Sequence, residues 1–311
     1  MSVFLSIDGG TTNTRITLVR DGEAVDTLKI SFGAQAARSD PNAQKGAIRD
    51  GILTVLARNA LCESGVERVL ASGMITSEFG LCNLPHAIAP AGLADLHAAT
   101  EERTLPEVTS IPFVFMRGVK CAGAGFDEID MMRGEETELM GLIDPALGPC
   151  AYVLPGSHSK VIEVDGQGRI LRFSTLLSGE MFAALSGHTI LGDAVDMAAD
   201  GVDNDYLMMG YAYAKEQGVN KAIFKTRVLK NHLAATPVQC TSYFRGVILC
   251  DEIREILRCG ADTVVLGGKR QMREAIAEIL TRLGGKRVIC LDEQTVERSV
   301  TRGQLRVYYG E

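Results

Sequence analysis

The residues best suited to chemistry lie in the segment Asp8–Arg15 (DGGTTNTR), between two apolar runs at residues 3–7 and 16–20. This order predicts a β-hairpin whose turn carries a carboxylate, two glycines, three threonines and an arginine. Adjacent glycines let the backbone approach a ligand and turn its N–H groups towards an anion. Asp8 supplies the kind of carboxylate that holds Mg²⁺ beside phosphates. The segment predicts a phosphate-binding turn, and the alternative is an ordinary polar turn. It is not a Walker loop, because it has no Gly-Lys-Ser/Thr and a strand follows it.

Alternating strands and helices must position this turn. Three strands are predicted at 3–7, 15–20 and 24–31, followed by a helix over 43–62 and a strand over 68–71. The helix places Ile48, Ile52, Val55, Leu56 and Ala60 on one face. A three-stranded meander followed by a helix and a strand is typical of one half of an α/β domain.

The pattern restarts after the Gly-rich stretch 121–125, which is the predicted domain junction. We therefore expect lobes at 1–120 and 121–311. Strands at 151–154, 160–164 and 170–175 repeat the opening meander and suggest a diverged duplication. Later elements are helices from 180 to 258, a strand at 263–266, a helix at 270–283, a strand at 287–291 and a helix at 293–305. We expect this last helix to pack back on the first lobe.

Composition excludes several classes of protein. The chain has 311 residues, of which 46% are hydrophobic and 23% charged, and a net charge of −7 without basic runs argues against a nucleic-acid surface. No apolar stretch approaches the roughly 20 residues that span a bilayer, and the N-terminus does not resemble a signal peptide. The eight cysteines form no C-x₂-C pair, so reduced, buried thiols are expected, and the five scattered histidines argue against a zinc site. We expect a cytoplasmic protein.

Four features stand in a fixed order: the first hairpin, a Gly-Glu-Glu segment at 134–136, a second glycine-containing hairpin at 155–160, and a strand that ends in Gly267-Gly268. This order resembles the actin/hexokinase/Hsp70 superfamily of ATP-using proteins. The resemblance implies an α/β fold of two ribonuclease H-like lobes with ATP in the cleft between them. It also implies that the second hairpin is a phosphate loop and that the glycine pair contacts adenosine.

Several segments narrow the resemblance to one family. Residues 72–77 (SGMITS), 132–139 (MRGEETEL), 154–160 (LPGSHSK) and 178–180 (SGE) resemble those of 2-dehydro-3-deoxygalactonokinases, and the likeness runs nearly from end to end. Membership implies phosphorylation of the 6-hydroxyl of 2-dehydro-3-deoxy-D-galactonate by ATP, a step in galactonate catabolism. The substrate follows from the resemblance alone.

The resemblance assigns the nucleotide site. Asp8 is expected to hold Mg²⁺ through water, and Arg15 to offset charge on the transferred group. The alternative for Arg15 is a strand-edge ion pair with a carboxylate. The residues expected to contact ATP are Asp8, Gly9, Gly10, Thr11, Thr12, Gly156, Ser157, Gly267 and Gly268.

A carboxylate must accept the proton of the sugar hydroxyl. Related sugar kinases place an aspartate after a glycine at a helix start, and here glutamates occupy that position. We prefer Glu135, with Glu136 as its neighbour and Glu180 in reserve. The competing explanation is that acidic side chains in a first turn stabilise the helix dipole by about 0.3–1 kcal/mol.

The substrate is an anion, so a cation or a donor-rich loop should meet its carboxylate. Arg133 is the first choice, with a structural ion pair as the alternative. The other substrate candidates are Ser72, Ser77, His158 and Lys160. For His158, a structural role as a hydrogen-bonded side chain is given equal weight.

Two rival functions share these features. One is a kinase for another keto-deoxy sugar acid, and the other is an actin-like ATPase without a small-molecule acceptor. A small-molecule substrate is expected, with no nucleic-acid or membrane partner, and the sequence leaves open whether the chain forms a homodimer.

Overall fold

The computed structural model describes residues 2–196 and 201–311. They form two compact units. Unit 1 comprises Met1–Ala146, Gln167–Arg172 and Gln294–Glu311, and unit 2 comprises Leu147–Gly166 and Phe173–Glu293. The division therefore differs from the boundary expected at residue 120.

Unit 1 is built on a mixed six-stranded sheet and a small three-stranded sheet. Its strands are β1 (Val3–Gly9), β2 (Thr14–Arg20), β3 (Glu23–Ile30), β4 (Arg68–Gly73), β5 (Ala87–Ile88), β6 (Glu101–Leu105), β7 (Thr109–Phe115), β8 (Val119–Ala122) and β9 (Ile129–Met132). Its first helices are α1 (Ala34–Ala37), α2 (Pro41–Arg58), α3 (Leu93–Ala98) and α4 (Glu135–Leu142). The strand orders are β3-β2-β1-β4-β7-β6 and β5-β8-β9.

Unit 2 is built on a five-stranded sheet with helices following its meander. The strands of this sheet are β10 (Cys150–Leu154), β11 (Ser159–Val164), β12 (Ile170–Leu176), β13 (Thr263–Leu266) and β14 (Arg287–Cys290), in the order β12-β11-β10-β13-β14. The start of β12, up to Arg172, is grouped with unit 1. The helices are α5 (Ser178–His188), α6 (Asn204–Gln217), α7 (Val219–Leu233), α8 (Pro237–Ile248), α9 (Cys250–Arg258) and α10 (Arg270–Leu283). The final helix, α11 (Glu293–Tyr309), lies almost wholly in unit 1. Short 3₁₀ turns occur at Glu63–Gly65, Met74–Thr76, Phe126–Glu128 and Pro145–Leu147.

The two large sheets share a topology. In each, the first strand pairs antiparallel with the second and parallel with a later strand: β1 with β2 and β4, and β10 with β11 and β13. The first and later strands are buried on both faces, which explains their unbroken apolar sequences. The C-terminal ends of β1 and β4 therefore meet at one sheet edge.

Helix α2 supplies one face of the unit 1 core. Ile48, Ile52, Val55 and Leu56 are buried there against the sheet, as predicted. Ala60 is exposed with φ +52°, because the helix ends at Arg58, earlier than expected. No helix within the described residues is both long and apolar enough to cross a bilayer.

The Gly-rich stretch at 121–125 has a local role. Cys121 and Ala122 end β8, and the following glycines turn the chain towards β9 inside unit 1. The Glu128 carboxylate accepts hydrogen bonds from the backbone N–H groups of Ala124 and Gly125. The glycines therefore serve a hairpin turn, which composition alone does not distinguish from an interdomain junction.

Candidate active site

Three glycines bring β1, β4 and α4 together at the sheet edge in unit 1. Gly9 and Gly73 are partners in the parallel register. Gly73 has φ +80° and ψ −152°, a conformation essentially confined to glycine, and a Cβ there would lie 2.5 Å from the Gly9 carbonyl oxygen. Gly134 has φ +114°, and its Cβ would lie 3.2 Å from the Gly73 Cα. The first turn of α4 can therefore approach the end of β1.

This approach creates a charged cluster. Arg15 Nη1 donates to Asp8 Oδ2 at 3.2 Å across the first hairpin, and the Asp8 side chain is 27% exposed. Asp8 interacts electrostatically with Glu135 of α4, and Glu138 interacts with Asp8, Arg15 and Glu135. Glu135 and Glu138 stand three residues apart, on neighbouring positions of one helix face.

The cluster is short of positive charge. Burial raises the pKa of Asp8, Arg15 opposes that rise, and the negative charge of Glu135 adds to it. Burial, followed by the charges of Glu135 and Asp8, raises the pKa of Glu138 to about 8. Three carboxyl groups face one arginine, which suits a divalent cation with hard oxygen ligands. No group of three His, Cys, Asp or Glu side chains in the described ranges is arranged to hold a metal unaided, so such a cation would also need oxygens from water or phosphate.

The structure separates the two predicted bases. Glu136 is 1% exposed, and its oxygens accept hydrogen bonds from Gly134 N at 2.8 Å and Thr137 Oγ1 at 3.0 Å. Burial and the Glu135 charge raise the pKa of Glu136 to about 7. Glu135 is half-buried, and its Oε2 accepts from Arg133 N at 3.1 Å. Glu136 therefore stabilises the start of α4, whereas Glu135 faces the charged cluster.

Helix α11 fixes α4 from the other side. Gly141 of α4 and Gly303 of α11 lie so close to the opposing backbone that neither position has room for a Cβ. Arg306 Nη1 donates to the carbonyl oxygen of Met140 at 2.6 Å. The helix that carries Glu135 is therefore anchored at both ends.

Arg133 is bonded within the protein. Its Nη1 donates to the Thr76 carbonyl at 2.6 Å and Thr76 Oγ1 at 2.7 Å, and its Nη2 donates to the Leu84 carbonyl at 3.0 Å. Nη2 also lies 3.3 Å from His86 Nδ1. Burial and the charges of Arg133 and Lys120 lower the pKa of His86 to about 4, so His86 is neutral and can accept. Arg133 therefore holds the loop after β4 in place. Its predicted contact with the carboxylate of the substrate stays a prediction.

The two serines expected to bind substrate are also engaged. Ser72 is 0% exposed, and its Oγ accepts from Gln304 Nε2 at 2.9 Å. Ser77 Oγ donates to the Met74 carbonyl at 2.7 Å within a turn. Ser72 has no surface at which a substrate could reach it, which corrects its predicted role.

The first hairpin turn is held by its own bonds and by α1. Gly10 N donates to the Asn13 carbonyl at 2.9 Å, and Gln35 N donates to the Thr11 carbonyl at 2.9 Å. The side chains of Thr11 and Thr12 are exposed. The turn is fixed in place while both threonine hydroxyls face solvent.

In unit 2, the second hairpin is packed against two other predicted segments. Gly179, in the first turn of α5, meets the Gly156 carbonyl so closely that a side chain cannot fit. After β13, Gly267 N donates to the Val153 carbonyl at 2.9 Å, and Lys269 N donates to the Pro155 carbonyl at 2.8 Å. The structure thus joins the hairpin, the Gly267-Gly268 turn and the start of α5.

Two hairpin residues face different surroundings. His158 Nε2 lies 2.8 Å from Glu180 Oε2, and both side chains are exposed. Lys160 is 2% exposed, and its Nζ donates to the His158 carbonyl at 3.1 Å. Lys160 therefore stabilises the hairpin from inside, and Glu180 is paired with His158 within unit 2.

A family model described as 2-keto-3-deoxy-galactonokinase matches residues 8–303. The chain belongs to this family. It is 27% identical over 200 residues to a probable 2-dehydro-3-deoxygalactonokinase of Rhizobium meliloti (strain 1021), a match that covers 62% of this chain and 59% of that relative. It is 24% identical over 259 residues to the 2-dehydro-3-deoxygalactonokinase of Escherichia coli (strain K12), covering 80% and 79%. The predicted membership of the 2-keto-3-deoxy-galactonokinase family is confirmed.

Solved structures support the fold of this family member. A crystal structure of a candidate 2-dehydro-3-deoxygalactonokinase from Sinorhizobium meliloti has a TM-score of 0.79 at 21% identity, covering 98% of this chain and 97% of that chain. The activator of the 2-hydroxyisocaproyl-CoA dehydratase from Clostridium difficile, with bound ADPNP, has a TM-score of 0.51 at 11% identity, covering 99% and 95%. These likenesses confirm the predicted actin/hexokinase-like α/β fold.

Sequence reasoning missed Glu138. Its signal was the three-residue spacing from Glu135, which places both on one face once residues 135–142 are helical. The Gly-Glu-Glu start of the segment points to Glu135 and Glu136, whereas the negative charges that surround Glu138 are brought together only by the fold.

We expect Gly73→Ala to lower the free energy of unfolding by about 2 kcal/mol or more, because the new Cβ adds a backbone clash to an unfavourable conformation. Gly22→Ala is the matched control, since Gly22 has φ +84° but nothing within 4 Å of the added Cβ. Urea denaturation of both variants measures the difference. Equal losses would show that the contact with Gly9 does not constrain the site.

Proposed function

We propose that the chain transfers the γ-phosphoryl group of ATP to the 6-hydroxyl of 2-dehydro-3-deoxy-D-galactonate, as a sugar-acid kinase of galactonate catabolism. The single observation that carries the proposal is the placement of Glu135, at the start of α4, beside the Asp8–Arg15 pair. Family membership and the names of the relatives supply the substrate.

Phosphoryl transfer is mainly a matter of positioning and charge stabilisation. Asp8 would hold Mg²⁺, whose positive charge neutralises phosphate oxygens when it is bound. The excess of carboxyl groups around Asp8 fits such a cation. Arg15, with a 61% exposed side chain, is available to offset negative charge on the transferred group.

Glu135 is the proposed base. It would accept the proton of the attacking hydroxyl, since its carboxylate lies in the cluster, while Glu136 is buried and bonded to its own helix turn. Glu138, with its pKa raised to about 8, carries a proton near neutral pH. That proton limits repulsion among the three acidic groups.

The nucleotide contacts would come from both hairpins. In the first, Gly9 and Gly10 shape the turn, and the hydroxyls of Thr11 and Thr12 are exposed to donate to phosphate oxygens. In unit 2, Gly156 and Ser157 belong to the second hairpin, which Gly267 and Gly268 support from the neighbouring strand end. We propose that these glycines lie against phosphate and adenosine.

Arg133 is better suited to positioning than to direct substrate contact. Its four acceptors keep the loop between Met74 and His86 in place next to the start of α4. We propose that this loop borders the sugar acid.

Magnesium dependence and a cytoplasmic location remain predictions from the sequence and the family, and formation of a homodimer stays open.

A substrate panel tests the proposal. Purified protein would be incubated with ATP, Mg²⁺ and either 2-dehydro-3-deoxygalactonate, its gluconate epimer, galactose or glycerol, and ADP release would be followed. We expect the fastest turnover with the galactonate derivative, and a product whose phosphate is on the 6-oxygen by nuclear magnetic resonance.

Turnover of neutral sugars without turnover of either keto acid would contradict the assignment. ATP hydrolysis without any acceptor, accompanied by ATP-triggered assembly in light scattering, would favour the actin-like alternative. Omitting Mg²⁺ from the same assay tests the metal requirement.

We expect Glu135→Gln to lower kcat by about 10²- to 10⁴-fold with little change in ATP affinity, because the amide cannot accept the hydroxyl proton. Glu136→Gln is the matched control on the adjacent position. Its amide can still accept from Gly134 N and bond Thr137, so kcat should stay within about tenfold of the wild type. Near-normal turnover by Glu135→Gln would move the base to Glu138 or Glu180.

A further inference from the structure

Unit 2 contains a buried carboxyl group, that of Glu252, which has no hydrogen-bond partner among the described residues. Glu252, in the first turn of α9, is 0% exposed. Neither of its carboxylate oxygens completes a hydrogen bond of normal geometry with another described residue. A buried carboxyl group in this state lowers the stability of the fold, and such groups are candidates for a functional role.

Two serines face this carboxyl group from the nucleotide side of unit 2. The hydroxyls of Ser159 and Ser178 lie close enough to act on its ionisation. Ser159 begins β11, directly after the second hairpin, and its Oγ lies 3.4 Å from Gly156 N. Ser178 begins α5 and precedes Gly179, which packs on Gly156. Glu252 therefore lies behind the hairpin and contacts both of its supports.

No cation among the described residues balances the Glu252 carboxyl group. Burial raises the pKa of Glu252 to about 7, and only the two serine hydroxyls oppose that rise. The elements packed against α9 are β11, α6, α8 and α10. Their buried titratable groups are Lys160, Tyr211, Cys240, Tyr243, Arg245 and Arg273. None of these acts on Glu252. Lys160 donates to the His158 carbonyl, and Arg273 is bonded to the Gly268 carbonyl and Glu293.

We propose that Glu252 is a positioning residue of the second phosphate hairpin, joining Ser159 to Ser178, and that gain or loss of its proton changes how tightly unit 2 holds a nucleotide. The inference rests on the proposed function, because it takes the hairpin to be a phosphate site. Glu252 touches no ligand in this scheme and acts through the two serines.

The direction of the effect follows from charge. With its proton, the carboxyl group is neutral and can donate to a serine oxygen, leaving the backbone of the hairpin free to bind phosphate. Without it, an uncompensated negative charge lies behind an anion site and repels the phosphates. Proton binding and nucleotide binding therefore favour each other, and this coupling is reciprocal.

Calorimetric titration of the full chain with Mg·ADP between pH 6 and pH 8.5 tests the inference. We expect wild-type affinity to fall roughly fivefold or more as pH rises through this range, and Glu252→Gln to lose most of that dependence while binding as tightly as the wild type at pH 6. Glu255→Gln, on the same helix, is the matched control and should follow the wild type. Comparing the variants removes the titration of the nucleotide itself.

Titrations in buffers of different ionisation enthalpy add a readout that loss of packing would not move. Near pH 7.5, wild-type binding should take up a fraction of a proton that Glu252→Gln does not. If Glu252→Gln fails to fold, Ser178→Ala serves instead. Removal of a hydroxyl that lowers the pKa of Glu252 should shift the fall in affinity to higher pH.

Unchanged pH dependence and proton uptake in Glu252→Gln, or an unshifted profile in Ser178→Ala, would overturn the inference while leaving nucleotide binding intact. Absence of Mg·ADP binding by the wild type at every pH would instead contradict the proposed function, and with it the inference. The two failures are therefore distinguishable.

Discussion

The close backbone approach at Gly73 is the constraint on which the candidate site depends. The parallel strands β1 and β4 end side by side at Gly9 and Gly73. Gly134, just before α4, packs so closely on Gly73 that a Cβ there would lie 3.2 Å from the Gly73 Cα. A side chain at Gly73 would clash with the Gly9 carbonyl oxygen of β1, and one at Gly134 would crowd the Gly73 Cα. Relief of these contacts would shift the end of β1 or the start of α4. Asp8 and Glu135 would then separate, and the charged cluster that motivates the proposed chemistry would not form. The anchoring of α4 by α11 acts in the same direction.

Local sequence signals were sufficient for most helices, for the strands of the two meanders and for the first hairpin. Residues 263–266 and 270–283 form the predicted strand and helix, because an apolar run ending in glycines and an amphipathic period are local properties. Other features depend on contacts between residues that are far apart in the sequence. They are the burial of Ser72, the hydrogen bonds of Arg133 and the difference between Glu135 and Glu136. For example, Gln304 reaches Ser72 across 232 residues. The short strands β5, β6, β8 and β9 were missed for the same reason, since pairing defines them more than composition does.

Buried acidic groups recur in both units, and their roles differ with their partners. Glu136 is satisfied by its own helix turn, and Glu138 shares a cluster with Asp8 and Glu135. Glu252 has two serines beside it and, in the part of the chain that the structure describes, no charge partner. Burial raises the pKa of all three, yet only the surrounding donors and charges distinguish a helix cap, a proton-bearing neighbour of the base and a support of the second hairpin.

The placement of Glu135 is tested most directly by a crystal structure of the protein with Mg²⁺, a non-hydrolysable ATP analogue and 2-dehydro-3-deoxygalactonate. We expect the 6-hydroxyl of the sugar acid to lie within hydrogen-bond distance of the Glu135 carboxylate, about 2.6–3.2 Å, with the metal beside Asp8. A sugar acid bound elsewhere, with its 6-hydroxyl beside Glu180 and no ligand near Asp8, would contradict the proposed site.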